Sequence, residues 1–119
     1  MTLDEAELRA LDFCYVTTAG RTSGRAHTIE IWFDLHEGTV YLLSGGGDAS
    51  DWVRNIRANP TVGLRLGDHD FLAKARVVED PDEDALARRV LLEKYTPGYV
   101  GDLQEWGRTA LPIAIDLPG

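Results

Sequence analysis

The segment TTAGRTSGRAHTIEIWFDLHEGTVYLLSGGGDASDWVRNIRAN, residues Thr17–Asn59, decides the fold of this chain. It contains the end of one β-rich run, a glycine-rich turn, a long alternating run, a tight turn at Glu37-Gly38 and another β-rich run. Three glycines then lead into an amphipathic stretch, which predicts a helix over 51–58 that stops at Asn59-Pro60. We therefore expect antiparallel strands joined by tight turns, with a helix after the third strand.

The flanking sequence continues this pattern. Leucines at helical spacing predict a short first helix over 3–11, capped by Thr2, and Asp80-Pro81-Asp82 predicts the start of another helix before the last strand. Between 27 and 35 apolar residues alternate with polar ones, which predicts one continuous strand. The predicted strands cover 13–18, 27–35, 39–44, 61–66, 71–79 and 111–117. The predicted class is mainly β with helices (α+β), in which five or six largely antiparallel strands form a small closed barrel, in one domain over 1–119.

Charge and composition exclude several functions. With 12 basic and 20 acidic residues the net charge is -8, which opposes binding to nucleic acid or anionic lipid. No run reaches the ~18 apolar residues of a membrane helix, so no membrane span is expected. The single Cys14 lies in the apolar run FCYV, which predicts a buried thiol, excludes an internal disulfide and is compatible with the cytoplasm. The histidines are scattered without ligand spacing, so no metal site is predicted.

A glycine-rich turn, Gly20–Arg25, is the first candidate anion site. It joins two β-rich runs, so it is a hairpin connection and not the strand-to-helix loop of a nucleotide-binding fold. Its composition suits a phosphate: glycine exposes backbone N–H groups, Thr22 and Ser23 offer hydroxyls, and Arg21 and Arg25 offer guanidiniums. The alternative is a solvated hairpin whose arginines protect a sheet edge.

The glycine triplet Gly45–Gly47 is the second candidate. Consecutive glycines cost backbone entropy and add no packing, so they usually mark a place where the backbone approaches another group closely. Asp48 or Ser50 is predicted to cap the following helix, whose first amides form a weak positive site. An ordinary flexible loop before a capped helix is the alternative.

The length of the chain and the position of Trp32 favour a homodimer. A chain of 119 residues has little room for an enclosed cofactor pocket, so a site between subunits is expected. Trp32 falls on an otherwise polar strand face, and a subunit interface would bury its ring.

Three motifs, in their order and spacing, resemble one known family. They are the hairpin TTAGRTSGRAHT, the loop and helix LLSGGGDASDWVRNIRANPTV, and the late tyrosine motif YTPGY. Together they resemble the split β-barrel flavin and deazaflavin oxidoreductases, and most closely the deazaflavin (F420)-dependent nitroreductase family. The resemblance implies an FMN-binding-like split barrel, a homodimer, and hydride transfer from reduced coenzyme F420 to a small electrophilic acceptor such as a quinone, a nitro compound or an activated alkene.

The same resemblance implies roles for individual residues. Tyr95 and Tyr99 resemble the tyrosines that line the acceptor pocket, and the hydroxyl of Tyr99 could donate a hydrogen bond or proton, with simple packing as the alternative. Thr22 stands where the family usually carries lysine or arginine. The positions implied in cofactor binding are Arg21, Thr22, Ser23, Gly24, Arg25, Thr28, Ser44, Gly45, Gly46, Gly47, Trp52 and Asn55.

Two other functions are compatible with the same residues. An FMN-dependent oxidoreductase on the same barrel would use the same anion cluster, because FMN also carries a ribityl phosphate. A non-catalytic protein that binds or sequesters a cofactor or ligand is the second alternative, favoured if Thr22 marks a weakened site.

Overall fold

A computed structural model describes residues 4–118, and their strands form one antiparallel sheet that curls into a half-barrel. The sheet has seven strands in the order β2-β1-β5-β6-β7-β4-β3. β2 and β3 are therefore its two edges. The strands are β1 (Cys14–Ala19), β2 (Ala26–Ile31), β3 (Asp34–His36), β4 (Thr39–Ser44), β5 (Thr61–Leu66), β6 (His69–Val77) and β7 (Leu111–Asp116).

Four α-helices accompany the sheet: α1 (Glu5–Arg9), α2 (Asp51–Ala58), α3 (Pro81–Tyr95) and α4 (Gln104–Thr109). Short 3-10 turns precede α2 at Gly47–Ala49 and follow α3 at Thr96–Gly98. α3 begins as the sequence predicts, because the carboxylate of Asp80 accepts from the N–H of Glu83 and Pro81 occupies the first turn. No helix within residues 4–118 combines the length and apolarity that crossing a bilayer requires.

Two hydrophobic clusters form the core. The larger one fills the inside of the curled sheet, where Val16, Phe33 and Leu64 are almost completely buried, as is the thiol-bearing Cys14. The second lies between the outer face of β4 and β7 and the helices α3 and α4. Cys14 is thus buried as predicted, and burial raises the pKa of its thiol to about 12.

The predicted continuous strand over 27–35 is wrong, because the chain bends at Trp32 and Phe33 and separates β2 from β3. The peptide groups of Phe33 bond to side chains of α3 instead of a strand. The hydroxyl of Tyr95 accepts from the N–H of Phe33 at 2.9 Å and donates to backbone oxygen, with the carbonyls of Phe33 and Asp12 both at 2.8 Å. The ammonium of Lys94 donates to the carbonyls of Phe33 and Leu11 at 2.8 and 2.7 Å. The backbone polar groups of Phe33 at the bend therefore all have partners. Because the predicted strand is divided into β2 and β3, the sheet has seven strands where five or six were expected.

Helices α1 and α2 have Asp4 and Ser50 at their N-cap positions. The described part of the first helix begins at Glu5, and the carboxylate of Asp4 caps it by accepting from the N–H groups of Ala6 and Glu7. Thr2, the predicted cap, lies outside the described residues. Ser50 occupies the N-cap position of α2, but its hydroxyl contacts the hydroxyl of Ser44 at 2.9 Å and makes no capping bond.

The bounds of several predicted strands and helices can be compared with the structure. Strands β4 and β5 and helix α2 have the predicted bounds. The predicted strand 71–79 lies at 69–77, because its hairpin turn is tighter than expected. Helix α4 was not predicted, since six residues are too few to show helical periodicity.

A network of charged side chains fixes the start of α3 to the sheet. Arg76 of β6 donates two hydrogen bonds to Glu83 at 2.6 and 2.8 Å and two to Asp116 of β7 at 2.9 and 3.2 Å. The hydroxyl of Tyr41 donates to Glu83 at 2.8 Å. Hydrogen bonds from Arg76 lower the pKa of both carboxyls, so both remain ionised at neutral pH.

Candidate functional site

A groove of about 630 Å³, which we call the hairpin groove, lies between the turn Gly20–Arg25, the start of β2 and the start of α2. The strand-to-strand turn forms one wall and the first turns of the helix form the other. The groove brings together six residues that the sequence implicated in cofactor binding: Arg21, Thr22, Ser23, Thr28, Trp52 and Asn55.

Asn55 connects the two walls. Its side-chain oxygen accepts from the backbone N–H of Arg21 at 3.2 Å and from its guanidinium at 2.9 Å, while its amide nitrogen donates to Thr18 at 3.1 Å. Asn55 and Thr18 are 3% and 1% exposed. Because every polar atom of the Asn55 side chain has a partner inside the protein, this residue holds the hairpin on α2 and is not free to contact a ligand.

Arg21 is anchored at its other end by Asp51. One guanidinium nitrogen donates to the Asp51 carboxylate at 3.1 Å, and the side chain of Arg21 stays 35% exposed. A guanidinium has five N–H donors, so donors remain that can face the groove. Asp51 also neutralises part of the positive charge of Arg21, so a bound anion would share the guanidinium with Asp51.

The tip of the hairpin offers backbone donors. Gly20 accepts from the N–H of Gly24 at 2.8 Å and donates to the carbonyl of Arg25 at 2.7 Å, which closes the turn. Within residues 4–118 the N–H groups of Thr22 and Ser23 have no hydrogen-bond partner. Gly24 has φ 74°, which explains the glycine at that position. Two free N–H groups beside two hydroxyls form a small concave donor set of the kind that binds anions.

Glycine at position 20 keeps the mouth of this groove open. A side-chain carbon there would lie 2.9 Å from the hydroxyl of Ser23 and 3.0 Å from the imidazole of His27. Both neighbours line the groove, so any larger residue would push them into it.

Six of the predicted site residues lie outside the hairpin groove. Gly24 and Arg25 belong to the turn but not to the lining. Ser44 at the end of β4, and Gly45, Gly46 and Gly47 between β4 and α2, also lie outside the lining. Ser44 is 2% exposed, and its hydroxyl bonds to Ser50 and to the carbonyl of Gly47 at 3.3 Å. Gly46 is adjacent to Ser50, where a side chain would collide with its hydroxyl. The glycine loop is therefore shaped by contacts within the protein, and a side-chain carbon added at Gly45 would lie 3.8 Å from the ring of Trp106.

A second groove of about 450 Å³, the aromatic groove, follows the hairpin groove along the edge strand. Residues 28 and 29 of β2 line the first groove, and residues 30 and 31 line the second, with Trp32 just beyond the strand. Its walls include Phe13, Trp32, Tyr99 and Trp106. The Trp32 ring stacks on Tyr95 at 4.3 Å between centroids and meets Tyr99 and Trp106 edge to face at 5.8 and 5.6 Å.

These contacts contradict the argument that a subunit interface is needed to bury the Trp32 ring. The Trp32 ring is packed inside its own subunit by Tyr95 and the second hydrophobic cluster, so it needs no partner subunit to cover it. The alternating pattern placed it on a polar face because the strand was taken to be straight through this position.

Tyr95 and Tyr99 have different environments. The Tyr95 hydroxyl bonds to the backbone at the β2–β3 bend, and burial raises the pKa of its phenol. Tyr99 is 44% exposed on the rim of the aromatic groove. Tyr99 is the more accessible of the two, whereas the Tyr95 hydroxyl bonds to backbone groups and its ring stacks on Trp32.

Several lining residues were not recognised from the sequence. Thr18, His27 and Asp51 line the hairpin groove, and Trp106 and Asp102 line the aromatic groove. Thr18 and His27 lie within the hairpin motif and Asp51 within the loop and helix motif, so their position was available as a signal. No local pattern marks Trp106, because it reaches the groove from the short helix α4.

The fold resembles several solved structures at low sequence identity. A conserved hypothetical protein from Mycobacterium tuberculosis has a TM-score of 0.77 at 20% identity, covering 100% of this chain and 83% of that one. An F420-H2 dependent reductase, FDR-A, has a TM-score of 0.72 at 20% identity, covering 88% of this chain and 94% of that one. A structure described as a domain-swapped dimer has a TM-score of 0.72 at 22% identity, covering 88% and 80%. These similarities confirm the predicted α+β split barrel of the FMN-binding-like type.

The family is shown by a match over nearly the whole chain. A family model described as F420H(2)-dependent quinone reductase matches residues 5–118. It confirms the predicted oxidoreductase class and the predicted dependence on F420. No match was found among curated proteins. This chain belongs to the F420H(2)-dependent quinone reductase family.

Proposed function

We propose that this protein binds reduced F420 with its phosphate over the hairpin groove and reduces a small electrophilic acceptor, in the first instance a quinone, held in the aromatic groove. The observation that carries the proposal is the donor set at the hairpin tip. Arg21, Thr22 and Ser23 all line one open groove next to a second, aromatic one, and they carry a guanidinium, two hydroxyls and two N–H groups that have no partner within residues 4–118.

The chemistry of these donors fits the cofactor. A phosphodiester is an anion that accepts several hydrogen bonds, and Arg21, Thr22 and Ser23 supply N–H and O–H donors to such a group. Thr28 lies further along the groove, and its hydroxyl shares one hydrogen bond with that of Thr17 at 2.7 Å, which leaves it capacity for one more with a ribityl hydroxyl. Trp52 and Ile29 add apolar surface to the same lining, which suits a cofactor that combines a phosphate with a planar ring.

Gly24, Arg25 and the glycine loop have secondary parts in this proposal. Gly24 shapes the turn, and Arg25 adds positive charge at its exposed end. The hydroxyl of Ser44 bonds to Ser50 at the start of α2, and Gly45, Gly46 and Gly47 form the loop that leads into this helix. They act on the cofactor through the shape of the protein and not through direct hydrogen bonds.

The protein's own contribution to the reaction is binding, orientation and charge stabilisation. Reduced F420 supplies a hydride, and with one proton this converts a quinone to a hydroquinone. The aromatic walls hold a planar acceptor and exclude water from its faces. As the acceptor oxygen gains negative charge, the hydroxyl of Tyr99 is positioned on the rim to donate a hydrogen bond or the proton. Tyr95 supports Trp32 from behind and holds the bend.

We also propose a homodimer, on different grounds from Trp32. Phe13 just before β1 and Tyr15 in β1, beside the exposed edge strand β2, are 42% and 41% exposed, and Leu72 on β6 is 73% exposed. Exposed apolar residues on a sheet face next to an unpaired edge are typical of an interface between subunits. Sedimentation at micromolar concentration would show a dimer, and a monomer alone would contradict this part of the proposal.

The cytoplasmic location stays a prediction that rests on one reduced, buried cysteine.

FMN remains the alternative cofactor, because its phosphate would meet the same donors.

Titration with F420 and, separately, with FMN tests the proposed function. Absorbance and fluorescence of each cofactor report binding, and a turnover assay with a simple benzoquinone reports hydride transfer from reduced F420. Binding of F420 with turnover supports the proposal. Binding of FMN alone would assign the same barrel to flavin chemistry, and binding of either cofactor without turnover would favour a sequestering protein.

A further inference from the structure

The aromatic groove has an unusual balance of charge. Among the described residues that line it, only Glu30 and Asp102 are charged, and both are acidic. Lys94 is the nearest lysine in an adjoining hollow of about 240 Å³, but its ammonium donates to the carbonyls of Leu11 and Phe33. The groove therefore presents aromatic faces and two carboxylates.

Both carboxylates keep an oxygen that can face a ligand. Glu30 accepts from the hydroxyl of Tyr15 at 2.7 Å through one oxygen, and Asp102 accepts from the N–H of Gln104 at 2.8 Å through one oxygen. Within residues 4–118 neither forms an ion pair with Lys, Arg or His, so neither negative charge is neutralised by a neighbour. Aromatic rings that stand edge to face beside such carboxylates form the surroundings in which organic cations bind.

We propose that the aromatic groove selects planar aromatic acceptors that carry a positively charged substituent, over neutral ones and most strongly over anionic ones. This inference rests on the proposed function, because it assumes that the aromatic groove is where the acceptor binds. The ring of the acceptor lies among Trp32, Tyr99 and Trp106, and its cationic group points toward Glu30 and Asp102. An acceptor with a carboxylate or sulfonate at the same position meets two like charges.

The net charge of -8 attracts cations to the whole surface, so the test must separate the groove from this general effect. Glu30→Gln and Asp102→Asn remove the two charges and keep an oxygen that can accept the existing hydrogen bonds, which protects the fold. Asp68→Asn is the matched control, since Asp68 is an exposed carboxylate in the β5–β6 turn and lines neither groove.

Binding is measured without F420, using three probes that cannot be reduced: a naphthalene with a neutral hydroxymethyl group, one with a trimethylammonium-methyl group and one with a sulfonate group. Their affinities are read from the indole N–H signals in an NMR titration. The chain has three tryptophans, so Trp32 and Trp106 report on the aromatic groove and Trp52 reports on the hairpin groove.

We expect the cationic probe to bind about three- to tenfold more tightly than the neutral one, the range typical of one exposed charge contact with a cation–π contribution. The sulfonate should bind most weakly, and the shifts should fall on Trp32 and Trp106. The Glu30→Gln/Asp102→Asn variant should bind all three probes with nearly equal affinity, whereas Asp68→Asn should keep the wild-type order.

Equal affinities in the wild type, or an order unchanged in the double variant, would overturn the inference, and so would shifts confined to Trp52. The single variants answer the same question if the double variant fails to fold. Turnover of cationic, neutral and anionic quinones with reduced F420 then separates the two proposals. Turnover with no preference for charge would leave the proposed function standing and overturn the selectivity. Charge-selective probe binding without turnover of any quinone would overturn the proposed function and leave the preference of the groove for cations.

Discussion

The side-chain oxygen of Asn55 accepts two hydrogen bonds from Arg21, one from its backbone and one from its guanidinium. The helix α2 thus fixes both the position of the hairpin and the direction of its arginine. The hairpin groove exists because a buried amide on one element satisfies donors on another, 34 residues away in sequence.

Replacing Asn55 by leucine should destabilise the protein and disturb the groove. The change leaves the hydroxyl of Thr18 and the N–H of Arg21 without partners, and we expect the free energy of unfolding to fall by about 2 kcal/mol. Denaturant unfolding measures this. Asn59→Ala, at the exposed end of the same helix, should have a much smaller effect, and equal losses for the two variants would contradict the connecting role of Asn55.

Replacing Arg21 by alanine should weaken the binding of F420 by roughly tenfold or more. A charge-assisted hydrogen bond to phosphate contributes on the order of 1.5–3 kcal/mol. The ion pair between Arg21 and Asp51 competes with this contact and lowers its net contribution to binding. Fluorescence titration measures the affinity. Arg9 is unsuitable as a control because it pairs with the buried Asp34 at 3.2 Å, whereas Arg89 is exposed on α3. If Arg89→Ala weakens binding as much as Arg21→Ala, the hairpin is not the phosphate site.

Changing Thr22 to lysine should tighten F420 binding. The new ammonium lies at the tip of the hairpin, where a partly solvated contact with phosphate adds about 0.3–1 kcal/mol. The gain should shrink at high salt, since exposed charges are screened over roughly 8–10 Å at physiological ionic strength. Affinities of both proteins at low and high salt decide the matter: no change at either salt argues against a phosphate over the hairpin.

The two tyrosines should respond differently to loss of the hydroxyl. Tyr99→Phe should lower kcat/KM for a quinone by about tenfold, the effect of one hydrogen bond in the transition state, with F420 affinity and stability unchanged. Tyr95→Phe should lower the free energy of unfolding by about 1–3 kcal/mol, because the N–H of Phe33 loses its buried partner. Steady-state kinetics and thermal unfolding of both variants check this, and a loss of stability in Tyr99→Phe would assign that residue to packing.

Acid should destabilise the protein partly through Arg76 and its two carboxylates. The pKa values of Glu83 and Asp116 are lowered in the folded state by hydrogen bonds from Arg76, so the folded protein binds fewer protons there than the unfolded chain. Their contribution is complete above the ordinary pKa values near ~4 and is lost as pH falls through the folded values. Arg76→Met should lower stability by about 1 kcal/mol at pH 7 and by less at pH 3. A loss that is the same at both pH values would contradict the linkage.

The strands and the site could be predicted to different degrees. Alternation and turn residues predicted most strands, because burial on one face of a sheet is a local pattern that sequence records directly. The hairpin and α2 could be placed because turn residues and the amphipathic pattern of a helix are also local features of the sequence. The bend at Phe33 could not, since its partners Lys94 and Tyr95 lie 61 and 62 residues away. The contacts of Ser50 and Trp106 also depend on tertiary packing, so the sequence alone assigned Ser50 a cap that it does not make.

The bend at Phe33 has a consequence for how the protein folds. Taken alone, residues 27–35 alternate as one straight strand, and their local preference opposes the bent shape of the folded chain. Only α3 removes this conflict, and α3 is complete only at Tyr95. We therefore expect the bend to form only once α3 has docked on the sheet, because Lys94 and Tyr95 at the end of α3 supply its hydrogen bonds.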